Sequence, residues 1–169
     1  MIYLISSLFY ILSFSILADE HISLSLLNSE LKKNYAFTER SLNQSDLKIE
    51  SSSGNIFFDP NGITVNVLSP FEENYRVEGD FLEIYDVFLD QKQTIDIREV
   101  NIFFLDLLIN GIDKNSSEYK VNQTHNSVIE IIPNDGSASI KFFFIDKSLN
   151  LIRYKDSIGI EHGIELSPI

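Results

Sequence analysis

Between Gly54 and Asp96 the chain reads GNIFFDPNGITVNVLSPFEENYRVEGDFLEIYDVFLDQKQTID, and this stretch limits the fold more than any other. Asn55–Phe58, Ile63–Val67 and Phe81–Tyr85 alternate apolar with polar residues, and Pro60-Asn61-Gly62, Pro70 and Glu78-Gly79-Asp80 separate them. Strand side chains point to opposite faces in turn. Period-two segments between turn formers therefore predict an antiparallel meander with one apolar face. Thr94–Ile97 is expected to add another strand.

Elsewhere the same rhythm returns in Tyr35–Leu42, with Phe37, Glu39 and Ser41 on one side, and then in five later segments. These are Tyr119–Gln123, Ser127–Ile132, Ser139–Ile145, Leu149–Lys155 and Ile160–Leu166, with Asn134-Asp135-Gly136 as a loop and Asp146–Asn150 as a hairpin turn. Two stretches depart from it. In Asp19–Lys33, Ile22, Leu26, Leu27 and Leu31 recur at helical spacing, with acids early and Lys32-Lys33 late, as a helix dipole favours. In Val100–Gly111, the residues Val100, Phe103, Phe104, Leu107 and Leu108 make a wide helical stripe, and Gly111 is a natural C-terminal cap. There is no βαβ rhythm and no repeat. The expected class is mainly β with helices (α+β): a single curved antiparallel sheet holding its helices in the concavity.

Length and charge narrow the function. At 169 residues one domain is expected, residues 19–169 after the N-terminal segment. Acids outnumber bases 25 to 13, a net charge of −12. That argues against nucleic acid, whose binding needs a cationic face, and against electrostatic docking on anionic lipid. There is no cysteine, so disulfides, thiolate chemistry and an acylated Cys are all absent from the repertoire.

Ile2–Ala18 contains no charged residue, and 13 of its 17 residues are apolar or aromatic. Asp19-Glu20 follow directly. Ile16-Leu17-Ala18 supplies a small residue at −1 and an aliphatic one at −3, so residues 1–18 read as a secretory signal peptide. No Lys or Arg precedes the run, and an uncleaved N-terminal anchor is the alternative. Either reading places the remainder outside the cytoplasm.

The order of elements resembles the periplasmic lipoprotein carriers of the LolA family. There a strand ending in a Pro-Asn turn leads to a second strand and a second Pro, then a "dG-x-x-L-x-x-Y-D" strand and a Gln. Phe58, Pro60, Asn61, Ile63, Val65, Pro70, Gly79, Leu82, Ile84, Tyr85, Asp86 and Gln91 stand at those places. Phe37-Thr38-Glu39 stands where the family has an "F-x-Q"-like strand. The resemblance covers roughly residues 20–166 and implies an unclosed antiparallel barrel under an α-helical lid, the lid being the segment around Phe103–Leu108. It also implies a Gram-negative periplasmic chaperone for protein transport in outer membrane biogenesis. Such a carrier takes acylated lipoproteins from an inner-membrane ABC transporter of the Lol type to an outer-membrane receptor, as a monomer and without a cofactor. The family usually continues with one more strand and a loop about where this chain reaches Ile169.

Chemistry is sparse. His21, His125 and His162 stand far apart without partners at i+3 or i+4, so no metal site is expected and each reads as solvent-exposed. No nucleophile elbow, Walker A or dinucleotide fingerprint occurs, and an enzyme is not expected. The candidate functional residues are apolar: Phe103, Phe104, Leu107 and Leu108 on the lid-like helix, with Ile63, Val65, Val67, Leu82, Ile84, Phe142 and Phe144 on strands. They line a lipid cavity or fill a dry core. One position departs from the resemblance. The family carries a basic residue, usually Arg, before the Pro of the Pro-Asn turn, where it bonds lid carbonyls and holds the empty form shut. Here the lid-closure position is Asp59, and a carboxylate accepts only. Arg76 and Arg98 are the candidates to close the lid instead.

Three readings follow: the lipoprotein carrier, a glycolipid-binding or lipoprotein-sensing module on the same fold, and a membrane-anchored structural domain with a dry core. For the N-terminal segment the expected outcome is a mature chain beginning at Asp19. N-terminal sequencing of protein from its native envelope checks it, and a chain beginning at Met1 in the membrane fraction would establish the anchor.

Overall fold

The computed structural model describes residues 21–43, 47–59, 62–98, 103–156 and 158–169. The signal or anchor segment, Pro60-Asn61 of the first turn and Val100 of the second helix lie outside the described residues. Among these residues there are eleven strands and two short helices. In chain order they are α1 (Leu24–Glu30), β1 (Tyr35–Asn43), β2 (Lys48–Asp59), β3 (Gly62–Ser69), β4 (Glu73–Glu78), β5 (Phe81–Asp86) and β6 (Gln91–Asp96). Then come α2 (Phe103–Asn110), β7 (Tyr119–His125), β8 (Val128–Pro133), β9 (Ile140–Ile145), β10 (Ser148–Lys155) and β11 (Glu161–Pro168).

The strands form one antiparallel sheet in the order β6-β5-β4-β3-β2-β1-β11-β10-β9-β8-β7. It is two meanders joined where the first strand meets the last, along the register Tyr35↔Pro168 to Leu42↔Glu161. The outer strands β6 and β7 are free edges, so the barrel is unclosed. The apolar face is continuous across the sheet: Tyr35 and Phe37 on β1, Ile63 on β3, Val77 on β4, Leu82 on β5, Ile129 and Ile131 on β8, Phe142 and Phe144 on β9, Ile164 and Leu166 on β11. β10 reaches the same face with Leu149 and Ile152 through an irregularity between Leu149 and Leu151, which shifts the two by three positions rather than two.

Both helices pack against that face. α1 is shorter than the sequence periodicity suggests. It starts at Ser23, whose hydroxyl accepts from the Leu26 N–H at 3.2 Å, because a Ser cap supplies the acceptor that the first turn lacks. Its Leu27, with Ile22 and Leu31, joins a cluster under β7–β11 and β1. α2 ends at Gly111, which has φ +76° and donates its N–H to the Leu107 carbonyl at 3.0 Å. That left-handed conformation is what a glycine C-cap provides. Asn28 of α1 then clamps the next residue from both sides: its Nδ2 donates to the Ile112 carbonyl at 2.9 Å and its Oδ1 accepts the Ile112 N–H at 2.8 Å. None of the helices among the described residues is long and apolar enough to cross a membrane.

One strand goes beyond the sequence expectation. β4, ENYRVE, contributes only Tyr75 and Val77 to the apolar face, too few for a visible alternation. β2 is likewise longer, since its serine-rich first half pairs with the polar half of β1. The turn into β10 is tighter than expected, with Asp146 and Lys147 both at positive φ (49° and 66°), as a two-residue hairpin requires. At the end of the sheet that carries the β1–β2, β3–β4, β5–β6 and β10–β11 turns, Leu47, Leu68, Phe71, Phe88, Leu89 and Ile158 are exposed. The Val87 N–H donates to the Glu72 carbonyl at 3.1 Å, tying two of these turns together.

Among the described residues Glu30 is the buried carboxylate of the core. Its carboxylate accepts from Lys33 Nζ (2.5 Å), the Tyr35 hydroxyl (2.9 Å) and the Leu149 N–H (3.1 Å), so one side chain fixes α1 to β1 and β10. Burial alone would raise its pKa. The bonds from Lys33, the Leu149 N–H and Tyr35 outweigh that and hold it below the usual glutamate value of 4.5. A depressed folded-state pKa adds stability that is fully present above the unfolded value and is lost as pH falls through the folded one. The unfolding midpoint should therefore drop below about pH 4.5, more in wild type than in Glu30→Gln. Glu30→Ala, which strands the Tyr35 hydroxyl and the Leu149 N–H, should lower stability by about 3 kcal/mol in denaturant unfolding.

Candidate functional site: an apolar cavity under the second helix

Apolar strands that curve around two short helices leave space between them. A cavity of about 310 Å³ lies between α2, the Leu31 end of α1 and the inner faces of β1–β5, β10 and β11. Its wall is almost wholly hydrocarbon. Ile63, Val65, Val67 and Leu82 line it from the strands and Phe104 and Leu108 from α2, six of the residues singled out in the sequence. The other five lie elsewhere. Leu107 is fully buried, and with Phe142 and Phe144 it sits inside the packed cluster. Phe103 turns to Tyr119, ring edge to face at 5.7 Å, and Ile84 packs on the smaller cluster of Ile63, Val77 and Leu82. The reason is one of angle. A stripe broad enough to face both halves of a curved sheet directs Leu107 into one half, Leu105 and Ile109 toward the other, and Leu108 between them.

Sequence reasoning missed Phe37, Ile56, Tyr75, Val77, Leu105 and Ile164 on the wall. Phe37, Ile56 and Ile164 sit at inward positions of expected strands, so period-two parity alone would have found them. Tyr75 and Val77 belong to the strand that was not anticipated.

Among the described residues Glu39 is the one charged side chain on the wall. Its Oε1 lies 2.7 Å from His162 Nδ1 and its Oε2 accepts from the Ser52 hydroxyl at 3.1 Å. The other ring nitrogen of His162, Nε2, lies 3.3 Å from Asp156 Oδ2. His162 is therefore a half-buried member of β11 held between two carboxylates, not the exposed loop residue expected. His21 and His125 are exposed. The imidazole stacks on Tyr154 (4.6 Å, 5° between planes), and Tyr154 stacks on Phe104 of α2 (5.1 Å, 20°). A ladder of three rings thus joins the polar end of the cavity to the helix that covers it. Burial pushes the Tyr154 phenol well above its usual pKa, and the charges of Glu39 and Asp156 push it further. Burial and the hydrogen bond to Glu73 do the same for Tyr75. Both hydroxyls therefore remain neutral donors at physiological pH. The Ser52 hydroxyl is spent on Glu39 rather than on His162, so the trio lacks the nucleophile–base contact that acyl transfer needs. Among the described residues no group of His, Asp and Glu is arranged to hold a metal.

Asp59 lies at a second hollow of about 570 Å³ beside Lys32, Ile63, Val77, Leu108 and Ile109. Its carboxylate takes two bonds from Arg76, Nη1 at 2.6 Å and Nη2 at 3.3 Å, and accepts the Gly62 N–H at 3.0 Å. Arg76 also donates to the Thr64 hydroxyl at 2.7 Å and lies 3.7 Å from Glu78. Arg98 pairs with Asp80 and Asp96, and its hydrogen bond holds Asp96 down at about 2. Neither arginine reaches α2 among the described residues. Asp59 and Arg76 brace the β2–β3 turn instead.

An unclosed antiparallel sheet wrapped around short helices, with an apolar cavity between them, is the architecture these observations define. It is the LolA-like fold. The chain superposes on a LolA superfamily protein from Nitrosomonas europaea with a TM-score of 0.54 at 10% identity, covering 84% of this chain and 89% of the other. Weaker superpositions reach an outer membrane lipoprotein-sorting protein domain from Vibrio parahaemolyticus (TM-score 0.48, 13% identity, 85% and 89% covered) and LprF from Mycobacterium bovis (0.36, 13%, 84% and 89%). No protein-family model and no curated protein matches the sequence.

The pairing predicts that Asp59→Arg, which would set two guanidiniums side by side, lowers the thermal midpoint. The exchange Asp59→Arg with Arg76→Asp should recover most of the loss, and a double-mutant cycle measures the coupling.

Proposed function

We propose that this chain is a periplasmic carrier that holds the acyl chains of lipoproteins in the cavity beneath α2 and moves them between membranes. The observation that carries the reading is the cavity: an apolar wall with, among the described residues, a single charged one, Glu39, at its polar end. Such a space suits an amphiphile, chain inward and head toward Glu39 and His162. At about 310 Å³ the cavity is at the lower end of what drug-sized ligands occupy, so larger cargo requires α2 to move. Contacts between α2 and the sheet are mostly between apolar side chains and rings, which permits repacking. The exposed apolar tips at the turn end support docking on a partner, since a surface that meets only water rarely gathers such residues. In this reading the supplier is an inner-membrane ABC transporter, the acceptor an outer-membrane receptor, and the carrier itself a monomer exported by its N-terminal segment. The reaction is transfer without catalysis.

Lipid extraction and mass spectrometry of protein purified from its native compartment test the reading directly. A mutant pair separates cavity from core. Leu108→Glu places a carboxylate on the cavity wall and should weaken binding of a fluorescent acyl-chain probe about tenfold or more with the sheet signal in circular dichroism retained. Leu107→Glu buries an unpaired charge in the packed cluster and should unfold the protein. Unchanged probe binding in a folded Leu108→Glu would exclude this cavity as the acyl site.

A further inference from the structure

The outward face of the sheet carries a basic row that takes no part in the cavity wall. Lys141 on β9, Arg153 on β10, Gly163 on β11 and Arg40 on β1 are successive register partners, so they form one row across four strands. Their neighbours Phe142, Ile152, Ile164 and Glu39 face the other way. Lys155 stands close by, and together with Glu161 and the Tyr154–His162 end of the ring ladder these residues line a groove of about 390 Å³. Four of the chain's thirteen bases gather here, in a protein whose net charge is −12.

Three of these bases are ion-paired, but at long distances that leave donors to spare. Arg40 lies 3.8 Å from Glu165, Lys141 3.5 Å from Glu130, and Lys155 4.0 Å from Glu161, all longer than the 2.7–2.9 Å typical of charge-assisted bonds. Arg153 has no carboxylate within ion-pair distance among the described residues. Its guanidinium lies over the Phe143 ring at 5.4 Å, which supports the plane and leaves the N–H edge open.

Gly163 forms the floor between the two arginines. Packing explains the other glycines placed in strands: a Cβ on Gly54 would stand 1.9 Å from the Asn66 carbonyl oxygen, and one on Gly62 1.8 Å from that of Val77. At Gly163 the nearest atoms would be 3.9 Å away. A strand glycine that packing does not require weakens the strand and leaves the backbone open to a ligand.

We propose that this groove binds a phosphate group, with Arg153 and Arg40 on either side of the Gly163 floor and Lys141 at the end of the row. Tetrahedral phosphate has enough acceptor oxygens for several convergent donors, and arginine matches it bidentately. The site goes beyond the acyl-carrier reading and does not depend on it. A free phosphate ester and a phospholipid headgroup carry the same chemistry.

The test is an amide NMR titration with inorganic phosphate against chloride at matched ionic strength, alongside co-sedimentation with phosphatidylglycerol vesicles. Saturable shifts centred on Arg40, Arg153 and Gly163 are expected, about tenfold weaker or more in Arg153→Gln. Gly163→Val should fold at least as well as wild type, since the Cβ has room, and should abolish the response by filling the floor. Leu108→Glu should respond like wild type, which separates this site from the cavity. Vesicle binding that Arg153→Gln removes, without a response to inorganic phosphate, would assign the group to a lipid headgroup. No saturable response in either arm, or one unchanged in both groove variants, overturns the proposal.

Discussion

An antiparallel sheet with one apolar face and two free edges must cover that face without closing, and the rest of the structure follows from how it does so. The chain leaves β6 at one edge and resumes as β7 at the other, so the segment between them has to cross the concave side. That segment carries α2. Eight helical residues span only about 12 Å, too little to fill a concavity framed by eleven strands. The space left over is the cavity. Polar side chains of β6 (Gln91, Lys92, Gln93) and β7 (Lys120, Asn122, Gln123) make the two edges poor templates for another strand.

The two helices are held by different physics. α1 is fixed through the buried carboxylate of Glu30, whose bonds to Tyr35, Lys33 and the Leu149 N–H would have to break together. α2 is tethered just past its C-terminal end by Asn28 and along its faces by leucines, phenylalanines and the Phe104–Tyr154–His162 stack. Apolar contacts are non-directional and reform after a shift, whereas a buried ionic tie does not tolerate one. Any opening of the cavity therefore falls to α2.

Much of this architecture was legible because it rests on local rules. The strands with clear alternation, the Gly111 cap and the absence of βαβ rhythm follow from side-chain period and turn chemistry. β4 was not legible, since Tyr75 and Val77 are two apolar residues among four polar ones and acquire meaning only once β3 and β5 flank them. The site was legible by face but not by depth. Ile63 and Val65 line space whereas Phe142 and Phe144 are enclosed, yet all four alternate identically, because parity fixes direction and packing fixes what is met there. The polar end was hidden for another reason: Glu39 stands far in the chain from Asp156 and His162, and only the β1–β11 seam brings it to His162.

If the chain carries acyl chains as proposed, it meets a limit that bears on this geometry. Burying about 40 methylenes at ~0.8 kcal/mol each would release ~30 kcal/mol, beyond the roughly 18–21 kcal/mol that non-covalent complexes reach. Cargo held that tightly would never leave. A cavity of about 310 Å³ covers such chains incompletely unless α2 moves, and moving α2 separates leucine and phenylalanine contacts that the empty form enjoys. The cost of parting those contacts subtracts from the affinity for cargo, and it is returned when cargo departs. In the proposed carrier, incomplete closure of the sheet, a short covering helix and apolar rather than ionic contacts on that helix would thus work in one direction: they would keep binding weak enough to reverse.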